Sequence, residues 1–363
     1  MAVAALVQVA IVAELGSLSS TYRNTRWAVR GIGCELITNI AGRGGCSWSR
    51  AFRGRRAPDD GNGALAIVTG ATGGIGAEIA AGLAATGYHV IVAARDPKRG
   101  NDVVARLRAA GGKAEYVPLH AHLPESAAAL AATVGRRPCA ILVNNAGVMS
   151  VGKGEILRTN YIGPAVLTVA LLPALRRHPT PRVVNVGSSS HLRAACINPA
   201  LLTSTERDRD LGAYAQSKLA LMQFSSLLRA SLPWLTVVDA HPGLVWTPML
   251  QRHWGPLAPA LERSGVSRIL FKTPDRGAAT ILVAATSPRD PPATWGERSR
   301  WRRGWRTQPY FVNQRPGGFA SAESRDLDAA RAAWKVMVEP TARRIAPEAI
   351  PEGFRQMTSS GAE

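Results

Sequence analysis

Apolar residues in this chain come in two kinds of run. Short ones rich in Val, Ile and Ala have the length and β-branching of buried strands: ALAIVTG at 64–70, YHVIVAARD at 88–96, AEYVPL at 114–119, AILVNNAG at 140–147 and RVVNVGSSS at 182–190. Between them lie longer alanine- and leucine-rich stretches, PESAAALAATV at 124–134 and NYIGPAVLTVALLPALRR at 160–177, which have the length of helices. Strands alternating with helices predict a parallel sheet covered on both faces, a doubly wound α/β domain. Ligands of such a sheet sit beyond the carboxyl ends of its strands, where Gly70, Asn145, Ser188 and Pro242 fall.

The pattern changes at the ends of the chain. Residues 2–15, AVAALVQVAIVAEL, are nearly all apolar but close with Glu14. As a helix they reach about 21 Å at ~1.5 Å per residue, short of the roughly 30 Å hydrocarbon core of a bilayer. From Arg23 to Arg56 there are eight arginines and one acid, Glu35. Apolar first and basic after suits a short anchor whose flank meets an anionic headgroup layer. An Arg-rich organelle leader, or a tail with no address, would have the same composition. The expected organisation is a leader at 1–56, a linker at 57–63, a domain at 64–340 and a C-terminal tail at 341–363.

Composition narrows the class. With 46% hydrophobic residues in 363, neither wholesale disorder nor a polytopic membrane protein fits. The net charge is +19, and only six of the 44 basic residues are lysines (98, 113, 153, 218, 272 and 335). Arginine in excess beside abundant Ala and Gly reads as bias spread over a surface; the functional alternative is attraction to anionic membrane or to a phosphate-bearing ligand. No zinc-finger spacing or heptad-bearing basic region is present, so nucleic acid is not an expected partner. Cys34, Cys46, Cys139 and Cys196 show neither paired spacing nor a disulfide framework, and no metal is expected.

The first strand runs into TGATGGIG, whose glycines are Gly70, Gly73, Gly74 and Gly76, with Thr72 and Ile75 between them. Glycine is needed where backbone turns with positive φ or approaches a pyrophosphate, and the helix that follows offers free N–H groups to an anion. The second strand ends at Arg95. In dinucleotide folds an acid at that position bonds the ribose hydroxyls, whereas an arginine accommodates a 2′-phosphate, so NADP(H) is favoured and NAD(H) is the alternative. Further along, LGAYAQSKLALMQF at 211–224 puts Tyr214 and Lys218 one helical turn apart. A free tyrosine titrates near pH ~10, so a phenol that moves protons at neutral pH needs a cation beside it, and Lys218 is so placed.

TGATGGIG, NNAG at 144–147, Asn160 in a helix, VGS ending at Ser188, YAQSK and HPGLVWT occur in an order that resembles the motif set of the short-chain dehydrogenase/reductase superfamily over residues 64–340. YAQSKLAL, LFKTPDRGA at 270–278, YFVN and AAW further resemble its X-linked, polyprenol dehydrogenase type and retinol-dehydrogenase-like branch. The resemblance implies a Rossmann-type doubly wound sheet in a single domain with a helical substrate lid. It also implies hydride transfer between a nicotinamide and a lipophilic alcohol or its aldehyde or ketone. Tyr214 would then be the proton donor and acceptor and Ser188 the group that bonds the reacting oxygen. Lys218 would meet the nicotinamide ribose, and Asn160 would anchor a water that relays protons to Lys218. Gly70, Thr72, Gly73, Gly74, Ile75, Gly76, Arg95, Asn145, Ala146, Gly147, Tyr214, Lys218, Pro242, Gly243 and Thr247 would line the cofactor. Two departures from the pattern stand out: His120 replaces an acid near the adenine, and the segment from Asn145 to Asn160 is short.

Residues 244–272, rich in Trp, Leu and Pro, are the expected lid, and its apolar character suits an apolar substrate. At 294–311, Trp295, Trp301 and Trp305 lie among five arginines, a composition of membrane interfaces and equally of a solvated insertion. The expected partners are a small lipophilic substrate, an anionic membrane surface such as the endoplasmic reticulum or a lipid surface, and a second copy in a homodimer. An organelle or the cytoplasm is the alternative location. Two rival readings are a nucleotide-binding regulatory or scaffolding protein without turnover, and a peripheral membrane-binding protein.

Overall fold

The computed structural model describes residues 47–51, 63–208, 211–287, 310–312, 315–316, 320–350, 352 and 354. The apolar and arginine-rich leader before Ser47, and the tryptophans at 295, 301 and 305, lie outside these residues.

The strands are β1 (Leu65–Thr69), β2 (His89–Ala94), β3 (Lys113–Pro118), β4 (Cys139–Asn144), β5 (Arg182–Val186), β6 (Thr236–His241), β7 (Tyr310–Val312) and β8 (Arg315–Pro316). Among the described residues they form one sheet in the order β3-β2-β1-β4-β5-β6-β7-β8. Every pairing from β3 to β7 is parallel, and β8 closes the edge antiparallel to β7. β1, β4 and β5 are buried along their whole length, as strands covered on both faces must be, so they read as unbroken apolar runs. The strand order reverses between β1 and β4, and the crevice that opens there is where a doubly wound sheet takes its ligand.

Helices α1 (Trp48–Ala51), α2 (Gly74–Ala85), α3 (Pro97–Ala109) and, after β6, α11 (Pro274–Thr286) cover one face. The other face carries α4 (Pro124–Val134), α5 (Lys153–Leu157), α6 (Gly163–Arg176) and α7 (Gly212–Ser231), then α12 (Leu327–Ala333) and α13 (Glu339–Ile345) from the C-terminal region. Helix ends follow local chemistry: the Asp96 carboxylate accepts the Arg99 N–H at 3.1 Å, and Pro97 opens α3 where no donor is needed. Residues 153–176 are long and apolar enough to cross a membrane, but 83% of that window is buried inside the protein as α5, α6 and the turn between them.

Packing reaches past residue 340: Trp334 stacks on Phe224 at 5.9 Å and meets Phe354 edge-on at 4.9 Å, and Ile350 and Phe354 belong to the same core as β4 and α6. The run of small and charged residues past 340 hides these two apolar anchors. At the other end, the leader's last part is built into the domain. The Trp48 indole donates to the Glu78 carboxylate at 2.8 Å and packs against the core beneath α2.

Candidate active site

The loop between β1 and α2 is held by contacts that leave no room for side chains. Gly70 has φ +66°, and a Cβ there would lie 2.9 Å from Ala146 Cα. At Gly76 an added Cβ would meet Asn145 Nδ2 and the Gly70 carbonyl, both at 2.5 Å. Gly73 caps α2 without any side-chain bond, and no acid sits in the first turn, so the helix presents its leading N–H groups and its positive end unneutralised. This is a cradle that fits a pyrophosphate. Asn145 closes its far side by donating from Nδ2 to the Thr69 carbonyl at 2.8 Å, while the Thr69 hydroxyl accepts the N–H groups of Asn145 and Ala146 at 3.0 and 2.9 Å. Arg95 is exposed just past β2. Arg99, one turn into α3, reaches back to the Thr72 carbonyl at 3.4 Å and passes Gly73. Arg99 thus reaches the glycine loop, where the sequence motif singled out Arg95. His120 is exposed at the end of β3, its N–H bonded to Ser126.

The residues expected to handle protons converge at the carboxyl ends of β5 and β6. Lys218 lies under Tyr214 on α7, with Nζ 5.7 Å from the phenol ring centroid, and donates to the Val186 carbonyl at 2.9 Å. Ser188, just past β5, lines the same cleft as Tyr214, and its hydroxyl accepts the Ser190 N–H at 3.2 Å and donates to the Ser190 hydroxyl at 3.1 Å. Tyr214 and Lys218 are both buried. The structure departs here from the expectation that Lys218 draws the phenol down: burial raises Tyr214 above the ordinary tyrosine value, and the nearby Ser188 hydroxyl opposes it only in part. Lys218 itself falls from 10.5 to about 8 through burial. The ammonium is engaged by Val186 and sits 5.7 Å from the centre of the phenol ring.

Asn160 occupies a π turn, Arg158–Ile162, between α5 and α6. Such a turn bulges a helix and turns one side chain inward. Asn160 is fully buried; its Oδ1 accepts the Val148 N–H at 2.8 Å, and its Nδ2 donates to the Val148 carbonyl at 2.9 Å and to the Ser217 hydroxyl at 3.1 Å. Asn160 thus ties the loop after β4 to the residue preceding Lys218.

A cleft of about 130 Å³ joins these parts and is lined by Asn145, Ser188, Tyr214, Lys218, Pro242 and Thr247 among others. Gly147, Ile75 and Gly243 also line it. Thr247 caps the first lid helix, accepting the Leu250 N–H at 3.4 Å, and its methyl lies 3.5 Å from where a Gly74 Cβ would stand. The lid is helical as expected: α8 (Pro248–Trp254), α9 (Ala258–Arg263) and α10 (Val266–Leu270) enclose a separate cluster of Trp254, Leu261, Val266, Leu270 and Phe271. The short loop after Asn145 still closes its side, because the Ser150 hydroxyl bonds His253 Nδ1 of α8 at 2.8 Å.

Three supporting residues escaped the sequence motifs. Asp208 is buried, and its carboxylate accepts the N–H groups of Ala213 and Tyr214 at 3.1 and 2.9 Å, which fixes the first turn of α7. Lys272, within LFKTPDRGA, is buried beside Gly243 and donates to the Pro242 carbonyl at 3.3 Å. Thr69, the first residue of TGATGGIG, links β1 to β4 as described; its place before the glycine was the available signal.

Comparison with known proteins gives matching results. The short chain dehydrogenase family profile matches residues 64–255. Mouse "Polyprenol dehydrogenase" is 38% identical over 251 residues, 62% of this chain and 72% of that protein. Human "Dehydrogenase/reductase SDR family member 13" is 35% identical over 236 residues, 61% of this chain and 62% of that protein. Among solved structures, the Pseudomonas aeruginosa RhlG/NADP active-site complex superposes with a TM-score of 0.52 at 28% identity, covering 62% of this chain and 90% of that one.

Proposed function

Because the chain belongs to the short-chain dehydrogenase family, we propose that it is an NADP(H)-dependent oxidoreductase interconverting a lipophilic alcohol, of prenol, retinol or steroid kind, and its aldehyde or ketone. The observation that carries this reading is the meeting of Ser188, Tyr214 and Lys218 at one end of the cleft, with the glycine cradle beside them. The glycine loop, Asn145 and Lys218 would hold a nicotinamide dinucleotide, which would supply or accept a hydride at its C4. Tyr214 gives its hydroxyl proton to the substrate oxygen in reduction and takes it back in oxidation. Ser188 bonds the same oxygen and holds it against the phenol. Lys218, with a pKa brought down to about 8, can exchange a proton near neutral pH and keeps a hydrogen bond to Val186 while doing so. Asn160 holds the turn that sets the depth of Ser217 and Lys218, and it is placed to anchor a relay water.

Arg99, whose guanidinium reaches Thr72 and Gly73 where a 2′-phosphate would project, supports NADP(H), as does the exposed Arg95 just past β2. Met149, Leu211, Leu244, Met249 and Leu250 line the substrate end of the cleft and support an apolar chain, as does the similarity to polyprenol dehydrogenases. The leader's apolar and then basic composition supports a location at a lipid surface.

The test is reduced-nicotinamide absorbance over time, with NADP and NAD each offered against retinol, a long-chain prenol and a simple secondary alcohol, wild type beside Tyr214→Phe. Lipid-alcohol turnover that needs Tyr214 sustains the reading; cofactor binding with no turnover on any of the three rejects it. Arg95→Asp together with Arg99→Ala is expected to lower the NADPH/NADH preference, and an unchanged ratio would remove both arginines from the cofactor site. Sedimentation with anionic liposomes, with and without residues 1–46, checks the anchor. Ser47 and Trp48 are kept because Trp48 is part of the fold.

A further inference from the structure

His191 has no part in the proton path, yet it is fully buried, and both of its ring nitrogens are bonded. Nδ1 lies 2.6 Å from the Ser188 carbonyl, which can only accept, so Nδ1 carries the proton. Nε2 is then bare and accepts the Ser321 N–H at 3.4 Å. One neutral tautomer satisfies both ends, and burial, opposed by the Ser188 bond, holds the ring's pKa down from 6.5 to about 4. Because neither nitrogen meets the Ser188 hydroxyl, His191 is no base for that serine. The imidazole instead spans two pieces of backbone far apart in sequence, and it stands edge-on to Tyr310 of β7 at 5.6 Å.

Each piece of backbone leads to the site. The Ser188 carbonyl also accepts the His191 N–H at 3.2 Å, so one residue closes the 3-10 helix Ser189–Arg193 onto Ser188 with a backbone and a side-chain donor. That turn presents the Ser190 N–H to the Ser188 hydroxyl oxygen. The hydroxyl proton, which goes to the Ser190 hydroxyl, can turn to a substrate oxygen while the N–H bond keeps the oxygen in place. In the other direction, Ser321 leads into a short turn, Glu323–Arg325, that α7 holds. Gln223 donates to the Glu323 carbonyl and Ser226 to the Ser324 carbonyl, each at 2.9 Å, and the Ser324 N–H returns to the Ser321 hydroxyl at 3.2 Å. α7 is the helix that carries Tyr214 and Lys218. We propose that His191 is a positioning residue that fixes the Ser188 hydroxyl relative to Tyr214, with segment 321–325 as the strut from α7. It touches no reacting atom. It holds the serine's turn at a set distance from the helix that bears the phenol, so that both hydroxyls reach one substrate oxygen. The proposal rests on reading the cleft as an alcohol–carbonyl site in which Ser188 bonds that oxygen.

The experiment is a double-mutant cycle on the full chain, with NADP and either retinol or a long-chain prenol, reading kcat, KM and NADPH affinity. His191→Leu removes both ring bonds and is expected to lower kcat roughly 10- to 100-fold, as displacing a positioned group by about an ångström does, with NADPH affinity unchanged. On a Ser188→Ala background, where the residual turnover runs without that hydroxyl, His191→Leu should lower kcat no further, because the two residues act as one unit. His191→Asn keeps an N–H for the Ser188 carbonyl and His191→Gln an acceptor for Ser321. Both should fall between wild type and His191→Leu, with Asn nearer to wild type. An unchanged kcat in His191→Leu overturns the proposal, as does a loss of equal size on both backgrounds, which is what a merely structural histidine would give. If His191→Leu fails to bind NADPH and so does not fold, the Asn and Gln variants decide: losses that vanish on Ser188→Ala support the strut, and losses that persist there reject it. Turnover that needs Ser188 but ignores His191 rejects this proposal alone. No turnover by wild type on either alcohol rejects the oxidoreductase reading, and the positioning role falls with it.

Discussion

Tyr214 and Lys218 are buried together, and each resists its charged form. Removing the phenol hydroxyl tests its role most directly: Tyr214→Phe should lower kcat by roughly 10²–10⁴-fold while leaving NADPH affinity nearly unchanged, as measured by fluorescence titration. Lys218 makes a second prediction through linkage. Its folded pKa, about 8, lies below the 10.5 of a free lysine, so between those values the unfolded chain binds the extra proton. Stability therefore rises with pH across that window, by about 3 kcal/mol from this group, and the burial penalty is present in full below pH 8. Thermal unfolding of the cofactor-free protein, compared pH by pH with Lys218→Met, should show the rise in wild type and its loss in the variant. Tyr214, Lys218 and Ser188 can be read from the sequence because their spacing and neighbours have few other uses. Asp208, Arg99 and His253 cannot, since each reaches the site by a fold-dependent approach that leaves no spacing in the chain.

Elements differ in the same way. The strand and helix alternation is written in the runs of Val and Ile and in the alanine-rich stretches between them, and β1 and the glycine loop follow their pattern closely. The π turn at Arg158–Ile162 has no such signature. RTNYIG reads as the middle of one helix, and only the packed surroundings of Asn160, bonded to Val148 and Ser217, make the wider turn favourable. The glycine loop gives the prediction at this scale. Gly76→Ala pushes a methyl to 2.5 Å from Asn145 Nδ2 and the Gly70 carbonyl. It is expected to destabilise by ~1–3 kcal/mol, as overpacking commonly does, and to weaken NADPH binding, both readable from denaturant unfolding with and without cofactor. An equal midpoint and unchanged affinity would mean the loop can shift without consequence.

For the whole molecule, the described chain is tied down at both ends on opposite faces of the sheet, Trp48 on the α2 side and Phe354 on the α6 side. Phe354→Ala should cost ~3–5 kcal/mol, because it empties a fully buried site against Trp334, and a chain stopped at residue 340 should lose more. Chemical denaturation of both would check this, with a chain stopped at residue 355 as the control. Neither tie was visible in the sequence, where a lone Trp among arginines and a lone Phe near the terminus resemble surface residues; only the cavities they fill identify them. Their placement also has a mechanical consequence. Among the described residues, a pull from the N-terminal side arrives first at the Trp48–Glu78 clasp, on the helix that opens at the glycine loop, whereas a pull from the C-terminal side arrives at Phe354, a sheet's thickness away. Strain applied at a surface that grips the leader would thus be felt at the cofactor edge, and the same strain on the other terminus would be spent on aromatic packing before it reached the strands.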